Sequence, residues 1–540
     1  VGGGGAGANI LATNASPNAG GGGGGAGGDW VSDSYGGNGG SGVVLLSWGS
    51  LLEVTESPVG SRPGQAFANP IRVQFTDLSG NLVQTSGLVS VTASAGVLQF
   101  NGTALTQSFT VNAVNGIATF TGLGFTSSVS SAQTLVFTSD AFIATSLVVS
   151  PNSYPANVNI ADGVTTQGTF LGGEFYANSG TGTTNIRASD LMRHMASFST
   201  VISASGNINV AADVTTSATA SLTLRANGSI SLSANVDIQL NGGDLILWSD
   251  SDNNGAGYIR SEERVVLNTV GGSTTAITGG GDIYLAGGLD TNGDGLPDGY
   301  ARSVAGVNTG DAIQLGRDNS TSAFAAYSGG GDLVVKGQSS RRIGINLLGQ
   351  MIFEAGNGRL IIEGLSSSTT SADGNNSHAF EHLAVPGSPS LFESFSSHSE
   401  AISIVGLSSG TNEDSVGVSF LRGTTPSDIL ISSKGQGGVY ISGRNTLTGA
   451  PAMRFRGTTF HAVTSSIVVE ARGVGSGSDS AVVDFEGVAS HFGANSTLTS
   501  SANIVLRADV VSRLTNNIFS TSGAVVIEPY TGGFERPLEL

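Results

Sequence analysis

A repeat of 22 residues is the feature that most restricts how this 540-residue chain can fold. Two similar nonapeptides occupy residues 206–214 and 228–236, and Leu245 follows Leu222 by 23 positions. A unit of this size cannot bury its own apolar face, whereas stacked copies bury a continuous core and pair their strand edges. The period therefore predicts a parallel β-solenoid over residues 151–540, a rod of about 75 Å with roughly 15 coils spaced by about 4.8 Å.

A second motif, Gly-Gly-Asp before a short apolar strand, supports the same interpretation. It occurs at residues 242–247, 280–285 and 330–335. Short apolar triplets continue this pattern at 360–362, 429–431, 439–441, 467–469, 504–506 and 525–527. Between residues 366 and 399 the pattern weakens into serine-rich sequence with two prolines, which predicts a lateral loop or a break in the rod.

One short helix is expected just before the regular coils. In residues 189–195, a serine in the cap position precedes Leu191 and Met195, which have helical spacing. Elsewhere the composition argues against helices, because only 11% of the residues are charged and 82 are glycine. Glycine, serine and threonine favour turns and strands.

The charge and the cysteine content exclude several functional classes. A formal charge of −18 offers no basic patch for phosphates, so we expect no nucleic-acid binding. Zero cysteines exclude disulfides and zinc-thiolate sites. No segment reaches the roughly 18 consecutive apolar residues of a membrane helix. The chain opens at Val1 without a signal peptide, so we expect a processed piece of a larger precursor.

Residues 1–50 are dominated by glycine runs that end in an abrupt apolar stretch at 43–48. Such a composition is typical of a flexible linker. The ending also resembles the glycine-rich modules of phage adhesins and some receptor ectodomains, in which glycine strands pack side by side as left-handed helices. We favour the ordered polyglycine packing.

Residues 51–150 show short alternating strands separated by turn signals, the spacing of an antiparallel β-sandwich. Asn115 and Gly116 are a strong hairpin signal, predicted to join strands at 109–111 and 117–120. The region resembles bacterial immunoglobulin-like repeats at 63–65, 70–73, 77, 80–83 and 114–120. The resemblance implies a rigid spacer or a weak binding unit on a surface protein.

Residues 151–540 resemble the solenoid repeats of filamentous-haemagglutinin-like adhesins and related giant bacterial exoproteins. The two nonapeptides, residues 242–250 and the closing 523–529 carry this likeness. It implies an all-β, right-handed parallel β-solenoid that follows the immunoglobulin-like β-sandwich and the glycine-rich segment. It also implies secretion to the extracellular side of a bacterial cell surface, with a structural or adhesive role in a filament or biofilm.

The strongest candidate for a metal site is the loop at 290–299, which spaces oxygen ligands at alternate positions around a glycine. Calcium takes six to eight oxygens, and this string resembles the calcium loops of thrombospondin type-3 repeats. It lacks the distal bidentate glutamate of an EF-hand, and a plain acidic turn is the alternative. The predicted ligands are Asp290, Asn292, Asp294, the Leu296 carbonyl and Asp298.

A weaker relative of this loop follows a strand at residues 250–255. Asp250, Asp252 and Asn254 occupy the first three ligand positions of a calcium loop. Bound calcium at either loop would be a structural cofactor that stiffens the rod.

The string His378-Ala379-Phe380-Glu381-His382 matches the inverted zinc-protease motif. Its serine-rich and proline-rich surroundings leave no room for the helix that the motif needs, so we interpret it as a loop on the flank of the solenoid. No catalytic residue is assigned.

The sequence therefore favours a secreted structural or adhesive protein that is not an enzyme. Expected partners are further copies, neighbouring segments of the precursor, and surface glycans. The alternatives are a carbohydrate-active β-helix enzyme, either a polysaccharide lyase or a tailspike-like glycosidase, and a secreted fibre of another origin. Carboxylates from different coils can converge at glycosidase distances, but aromatic residues for holding sugar rings amount to only 6%.

Overall fold

The computed structural model describes residues 51–530 with short gaps. The gaps are 59–63, 68, 95–96, 127–128, 130–131, 141, 150–153, 167, 178–181, 304–309, 368–376, 411–414, 448–449, 474–482, 496 and 513–516. The predicted glycine-rich segment lies outside the described residues. The chain divides into two compact units, Val1–Ser150 and Pro151–Leu540.

The first unit is built of short β-strands. They are β1 (Leu51–Glu56), β2 (Ile71–Thr76), β3 (Leu88–Thr92), β4 (Leu98–Phe100), β5 (Thr103–Ala104), β6 (Phe109–Asn112), β7 (Ile117–Phe120), β8 (Leu123–Phe125), β9 (Gln133–Ser139) and β10 (Phe142–Val149). Seven of them form a sheet in the order β6-β3-β9-β10-β1-β2-β7, and β5-β4-β8 form a second, three-stranded sheet. Ile71, Val73 and Phe75 point into the core, which confirms the alternation expected for β2.

The hairpin predicted at Asn115 and Gly116 is only partly right. Both residues have positive φ, 51° and 82°, as the turn requires, and Val114 and Ile117 form a bridge across it. However, β6 pairs with β3 and β7 pairs with β2, so the two strands lie at opposite ends of the sheet order. The prediction that β6 and β7 pair with each other is wrong, because each of them forms its hydrogen bonds with a longer strand, β6 with β3 and β7 with β2.

The second unit consists of strands and one short helix. They are β11 (Asn157–Ala161), β12 (Gly168–Leu171), β13 (Glu174–Ala177), β14 (Thr183–Arg187), α1 (Ala188–Met195), β15 (Thr200–Ala204), β16 (Ile208–Val210), β17 (Val214–Thr215), β18 (Leu222–Ala226), β19 (Ile230–Leu232), β20 (Val236–Gln239), β21 (Leu245–Ser249), β22 (Ile259–Ser261), β23 (Val265–Asn268), β24 (Ile283–Gly287), β25 (Ala301–Ser303), β26 (Ile313–Gly316), β27 (Phe324–Tyr327), β28 (Leu333–Ser339), β29 (Ile345–Leu348), β30 (Met351–Glu354), β31 (Leu360–Ser366), β32 (Phe380–Leu383), β33 (Ser390–Ser394), β34 (Glu400–Ser408), β35 (Val418–Leu421), β36 (Ile429–Ser433), β37 (Gly438–Asn445), β38 (Met453–Phe455), β39 (Thr458–Ala462), β40 (Ser466–Arg472), β41 (Val483–Phe485), β42 (His491–Gly493), β43 (Asn503–Arg507), β44 (Val511–Ser512), β45 (Ile518–Ser520) and β46 (Val525–Glu528).

These strands form three long sheets that are almost wholly parallel, as in a β-solenoid. Face A has twelve strands, in the order β14-β11-β16-β19-β22-β26-β29-β32-β35-β38-β41-β44. Face B has fourteen, in the order β12-β13-β15-β18-β21-β24-β28-β31-β34-β37-β40-β43-β46 with β25 beside β28. Face C has ten, in the order β17-β20-β23-β27-β30-β33-β36-β39-β42-β45. From β15 onward, each coil places one strand on face B, then one on face A, then one on face C, except that one coil has both β24 and β25 on face B.

The coils are fewer and longer than the sequence period predicts. In the described residues, face C has ten strands and therefore ten three-strand coils. Thr200 pairs with Leu222 after 22 residues, but Ile283 pairs with Leu333 after 50. Insertions lengthen many coils without disturbing the register, so the estimate of about 15 coils is wrong.

The stack continues through residues 366–399, where the sequence suggests a break. Strand β32 pairs with β29 and β35, and β33 pairs with β30 and β36. Both strands keep the register of their neighbours, so the rod has no break at either of them. Part of the predicted lateral loop, residues 368–376, lies outside the described residues.

Helix α1 covers apolar core at the beginning of the regular coils. It spans Ala188–Met195, as predicted, and buries Leu191 and Met195. It packs against β14 and β17. A short amphipathic helix covers apolar surface without exposing strand edges.

The Gly-Gly-Asp motif has a structural explanation in the stacking of coils. A Cβ atom added to Gly281 would lie 2.5 Å from the carbonyl carbon of Gly243, and one added to Gly331 would lie 2.3 Å from that of Gly281. The motif's aspartates also link the coils: Asp282 donates its N–H to Asp244 (2.9 Å), and Asp332 donates its N–H to Asp282 (2.7 Å). The glycine permits close approach, and the carboxylate accepts the N–H of the next coil.

We expect Gly281→Ala to destabilise the solenoid by about 1–3 kcal/mol, because the added methyl group overlaps the backbone of the preceding coil. Urea unfolding of the full chain measures the change. Gly163→Ala is the matched control, since a Cβ atom there has no heavy atom within 4 Å. Equal unfolding midpoints for the two variants would contradict this explanation of the motif.

Candidate functional site

The first candidate calcium loop connects β24 to β25, which are both strands of face B. Its carboxylates accept hydrogen bonds from the loop itself. Asp290 accepts the N–H groups of Gly293 (2.6 Å) and Gly295 (2.9 Å). Asp294 accepts the N–H of Leu296 (2.9 Å). These bonds fix a compact acidic turn.

The remaining predicted ligands close the same loop. Asn292 accepts the N–H of Asp294 (2.9 Å), and Asp298 accepts the N–H of Thr291 (2.7 Å). Hydrogen bonds to Thr291 lower the pKa of Asp298 below its usual value, so this carboxylate is charged at neutral pH. Within the described residues, no three acidic or histidine side chains are grouped to hold a metal ion. A bound calcium ion would require these oxygens to turn inward together.

The second candidate loop lies one coil earlier, in the turn between β21 of face B and β22 of face A. Asp250 is fully buried and accepts the N–H groups of Gly255 (2.9 Å) and Ala256 (3.2 Å). Asp252 and Asn254 bond to each other at the exposed tip.

A guanidinium group lies beside this second loop. Arg302 Nε lies 3.9 Å from Asp250 Oδ2, and Arg302 donates to Asn253 (2.8 Å). Burial raises the pKa of Asp250, while the two backbone N–H groups and Arg302 lower it. A positive charge therefore already faces the carboxylate that calcium would need, which disfavours a cation there.

The zinc-protease-like string is not a flank loop, so that interpretation is wrong. Glu381 and His382 lie in β32, where successive side chains point to opposite sides of the sheet. His382 stacks inside the core between Leu347 and Phe420. Its Nδ1 lies 3.2 Å from the Leu347 carbonyl, and burial lowers its pKa to about 4, so the imidazole is neutral.

The other two residues of the string belong to a buried polar cluster on the outer side of face A. His378 is fully buried, and its Nε2 lies 3.2 Å from Glu381 Oε1, without the geometry of a hydrogen bond. Asp311 accepts a hydrogen bond from Asn346 (2.9 Å), and burial raises the pKa of Asp311. Because His382 points into the core, His378, Glu381 and His382 cannot hold one ion together.

A pair of carboxylates that the sequence analysis missed lies on face C. Glu354 is the last residue of β30, Glu393 is the last but one of β33, and the two are register partners on adjacent coils. Both follow the same local pattern, an aliphatic residue and then a phenylalanine, and this repeated pattern could have identified them. Parallel strands lie about 4.8 Å apart, so the two side chains emerge side by side.

The two carboxylates have different environments. Lys434 Nζ lies 2.5 Å from Glu393 Oε2 and near the ring of Phe395, 5.6 Å from its centroid. Burial, and then the charge of Glu393, raises the pKa of Glu354 to about 7, although Lys434 opposes the shift. Chemically, the Glu354 carboxyl group can therefore hold a proton near neutral pH beside a second carboxyl group.

Solvent access to this pair is limited. Glu393 is only 5% exposed. His461 is buried on the same column, where its Nδ1 meets Ser432 Oγ at 2.9 Å and its Nε2 meets the Thr499 carbonyl at 3.0 Å. Burial lowers the pKa of His461, so it is a neutral neighbour. The column of Glu354, Glu393, Ser432 and His461 is therefore polar and only partly exposed to solvent.

No protein-family model, curated protein or solved structure matches this chain. In the part of the chain that the structure describes, no helix has the length and apolarity to cross a membrane.

We expect the solenoid to lose stability as the pH rises through about 7, because the folded-state pKa of Glu354 lies above its ordinary value of 4.5. Such a group stabilises the fold fully below its unfolded pKa, and this contribution disappears as the pH passes the folded pKa. Melting temperatures measured between pH 5 and 8 should therefore fall toward alkaline pH.

Glu354→Gln should flatten this pH dependence, since glutamine has nearly the shape of the protonated acid and carries no charge. Glu400→Gln, an exposed glutamate of β34, is the matched control and should retain the wild-type profile. A wild-type melting temperature independent of pH over this range would show that Glu354 is ionised throughout.

Proposed function

We propose that this protein is a secreted structural and adhesive component of a bacterial cell surface, part of an extracellular filament or of a giant adhesin stalk. The observation that carries the proposal is the uninterrupted apolar core running through successive coils, with flat sheets around it. A scaffold of this kind provides length and a repeated outer surface, and it needs no catalytic residues to do so.

The outer surface of face A supports the proposal near its beginning. Asn209 donates to Asn159 (2.8 Å), and Asn159 donates to Asn185 (3.2 Å), so stacked asparagines link neighbouring coils by side-chain hydrogen bonds. Ser231 continues the column on the next coil. Small uncharged polar groups repeated at strand spacing make a surface suited to many weak contacts. When several such contacts form at once, the overall affinity exceeds that of any single contact.

The first unit fits a role as a spacer. Its two sheets are built of short strands that bury one face against a common core, an arrangement in keeping with an immunoglobulin-like module. In a surface protein, such a unit would act as a spacer. Self-association and binding to surface glycans are the interactions that this role requires.

The second candidate function is a carbohydrate-active β-helix enzyme. The specific observation in its favour is that Glu354, whose pKa is raised, lies beside Glu393, because glycosidases use two carboxyl groups of which the acid has a raised pKa. Against it, Glu393 is almost fully covered and paired with Lys434. A sugar ring cannot approach a carboxylate that is shielded in this way.

The two functions are separated by incubating the full chain with polysaccharides while scoring fibre formation by electron microscopy and attachment to coated surfaces. We expect fibres or attachment without any release of reducing or unsaturated sugar ends. Glu393→Gln should leave attachment unchanged. Sugar release that disappears in Glu393→Gln, with the fold intact, would establish the enzyme and refute the scaffold.

We further propose that calcium is a structural cofactor at the loop of Asp290, Asn292, Asp294, the Leu296 carbonyl and Asp298. The chemistry of the donor set supports it, since carboxylate, amide and carbonyl oxygens are the ligands that calcium prefers. Among the described residues, no ion pair involves Asp290, Asp294 or Asp298, whereas Asp250 faces Arg302. Bound calcium would fix the loop between β24 and β25.

Calcium added after chelation should raise the melting temperature, because an ion held only by the folded state stabilises that state. Asp294→Ala should abolish most of the gain, and Asp252→Ala, in the loop that Arg302 faces, should leave it unchanged. Scanning calorimetry of the full chain measures both. An identical melting curve with and without calcium would reject the ion.

A further inference from the structure

An open groove on the outer side of face A has the properties of a ligand site. Its volume is about 550 Å³, within the range of roughly 300–1,000 Å³ typical of small-molecule sites. Arg260 of β22 and Gln314 of β26 form its floor and are register partners on adjacent coils. Leu348, at the end of β29, closes the groove from the following coil.

The walls carry charged side chains from the turns that follow the same strands. Glu262 and Glu263 follow β22, and Arg317 and Asp318 follow β26. Arg317 forms an ion pair with Glu263, and Asp318 forms one with Arg422. These ion pairs neutralise most of the charges on the walls. The charge of a ligand that the groove can bind therefore depends on the residues of its floor.

Of the charged residues that line the groove, Arg260 and Glu262 form no ion pair, and Arg260 is the cation of the two. Its Nε is shielded from solvent and has no hydrogen-bond partner. No carboxylate of the described residues forms an ion pair with it, and its nearest floor neighbour, Gln314, carries no charge. A guanidinium that is partly desolvated and lacks a counter-ion costs free energy, which a bound anion would recover.

The groove is held in place by rigid backbone. Gly316 has a φ of +76°, and a Cβ atom there would lie 2.2 Å from the carbonyl oxygen of Leu348. Its N–H donates to Ser261 Oγ (2.9 Å). Because the turn packs directly on the following coil, the groove is preformed and a ligand would lose little affinity to ordering it.

These properties select one class of ligand. A planar guanidinium matches a carboxylate with two parallel hydrogen bonds, while Gln314 and Glu262 can accept hydrogen bonds from hydroxyl groups. None of the residues that line the groove is aromatic, so a neutral sugar would find no stacking surface. The acidic walls and the net charge of −18 oppose polymers with a charge on every unit, such as nucleic acids, so the charged units of the ligand have to be separated by neutral sugars.

We infer that this groove binds a uronate unit of an acidic polysaccharide, with the sugar carboxylate on Arg260 and the sugar hydroxyls on Gln314 and Glu262. This inference rests on the proposed adhesive function, because it names the class of glycan that the surface would hold.

The test measures binding of D-glucuronate to the full chain by titration calorimetry at low ionic strength, with D-glucose as the uncharged probe of similar size. Glucuronate should bind at least about tenfold more tightly, because only it forms the charge-assisted pair. Added salt should weaken its binding. Equal affinity for the two sugars, or binding of neither, would overturn the inference.

Two glutamine variants locate the site. Arg260→Gln should weaken glucuronate binding about tenfold or more. Arg454→Gln is the matched control, because Arg454 lies further along the same outer column of face A and already faces Glu486 at 3.7 Å. It should bind as the wild type does. Equal loss in both variants would overturn the assignment to this groove.

A conservative variant covers the case in which Arg260→Gln does not fold. Arg260→Lys keeps the charge but cannot form the bidentate pair, so it should fold and show intermediate affinity. Wild-type affinity in Arg260→Lys, with an unchanged melting temperature, would refute the bidentate contact.

Attachment assays on the same proteins separate this inference from the proposed function. If the wild type attaches to surfaces or forms fibres but does not bind glucuronate, the groove assignment fails and the adhesive role stands. If glucuronate binds through Arg260 but the protein neither attaches nor forms fibres, the groove assignment stands and the adhesive role fails.

Discussion

Hydrogen bonding between parallel strands of successive coils is the constraint on which the rest of the second unit depends. It places each residue directly against the residue at the same position one coil away, whatever the length of chain between them. The interior of face A shows the result, where Leu347, His382 and Phe420 occupy one column. The residues of one column therefore form one another's environment. For this reason the core can contain one neutral histidine between apolar neighbours.

At the corners between sheets, backbone carbonyl groups have no hydrogen-bond partner in a neighbouring strand. Buried serine hydroxyl groups donate hydrogen bonds to them there. Ser339, Ser366 and Ser408 are register partners at the end of face B. Each donates to a carbonyl in the corresponding turn of the preceding coil, with distances of 2.5, 2.8 and 3.0 Å. Buried carbonyls without donors would be costly, so the serine content of this chain is partly a requirement of its corners.

Charged groups lie in the loops between strands and at positions of the strands that face outward from the core. The candidate calcium loops are insertions, one between β24 and β25 of face B and one between β21 of face B and β22 of face A, and the strand ladders continue past both. On the faces, Glu354 and Glu393 are stacked carboxyl groups on face C, whereas Arg260 on face A stacks on the uncharged Gln314. A surface protein built in this way varies its binding chemistry along the columns and keeps a constant core, which is the physical basis for the adhesive role that we propose.

The sequence by itself determined the all-β class, the position of helix α1, and the stacking of short strands, because periodic apolar residues and glycine turns act locally. It also identified the Gly-Gly-Asp motif, although only the close contact between coils explains it. Tertiary structure alone decided the number of coils, the partners of β6 and β7, and the opposite orientations of Glu381 and His382. It also placed Glu354 beside Glu393 and Arg302 beside Asp250. Those neighbours are 39 and 52 positions apart in the chain, and insertions of irregular length hide which residues the register will bring together.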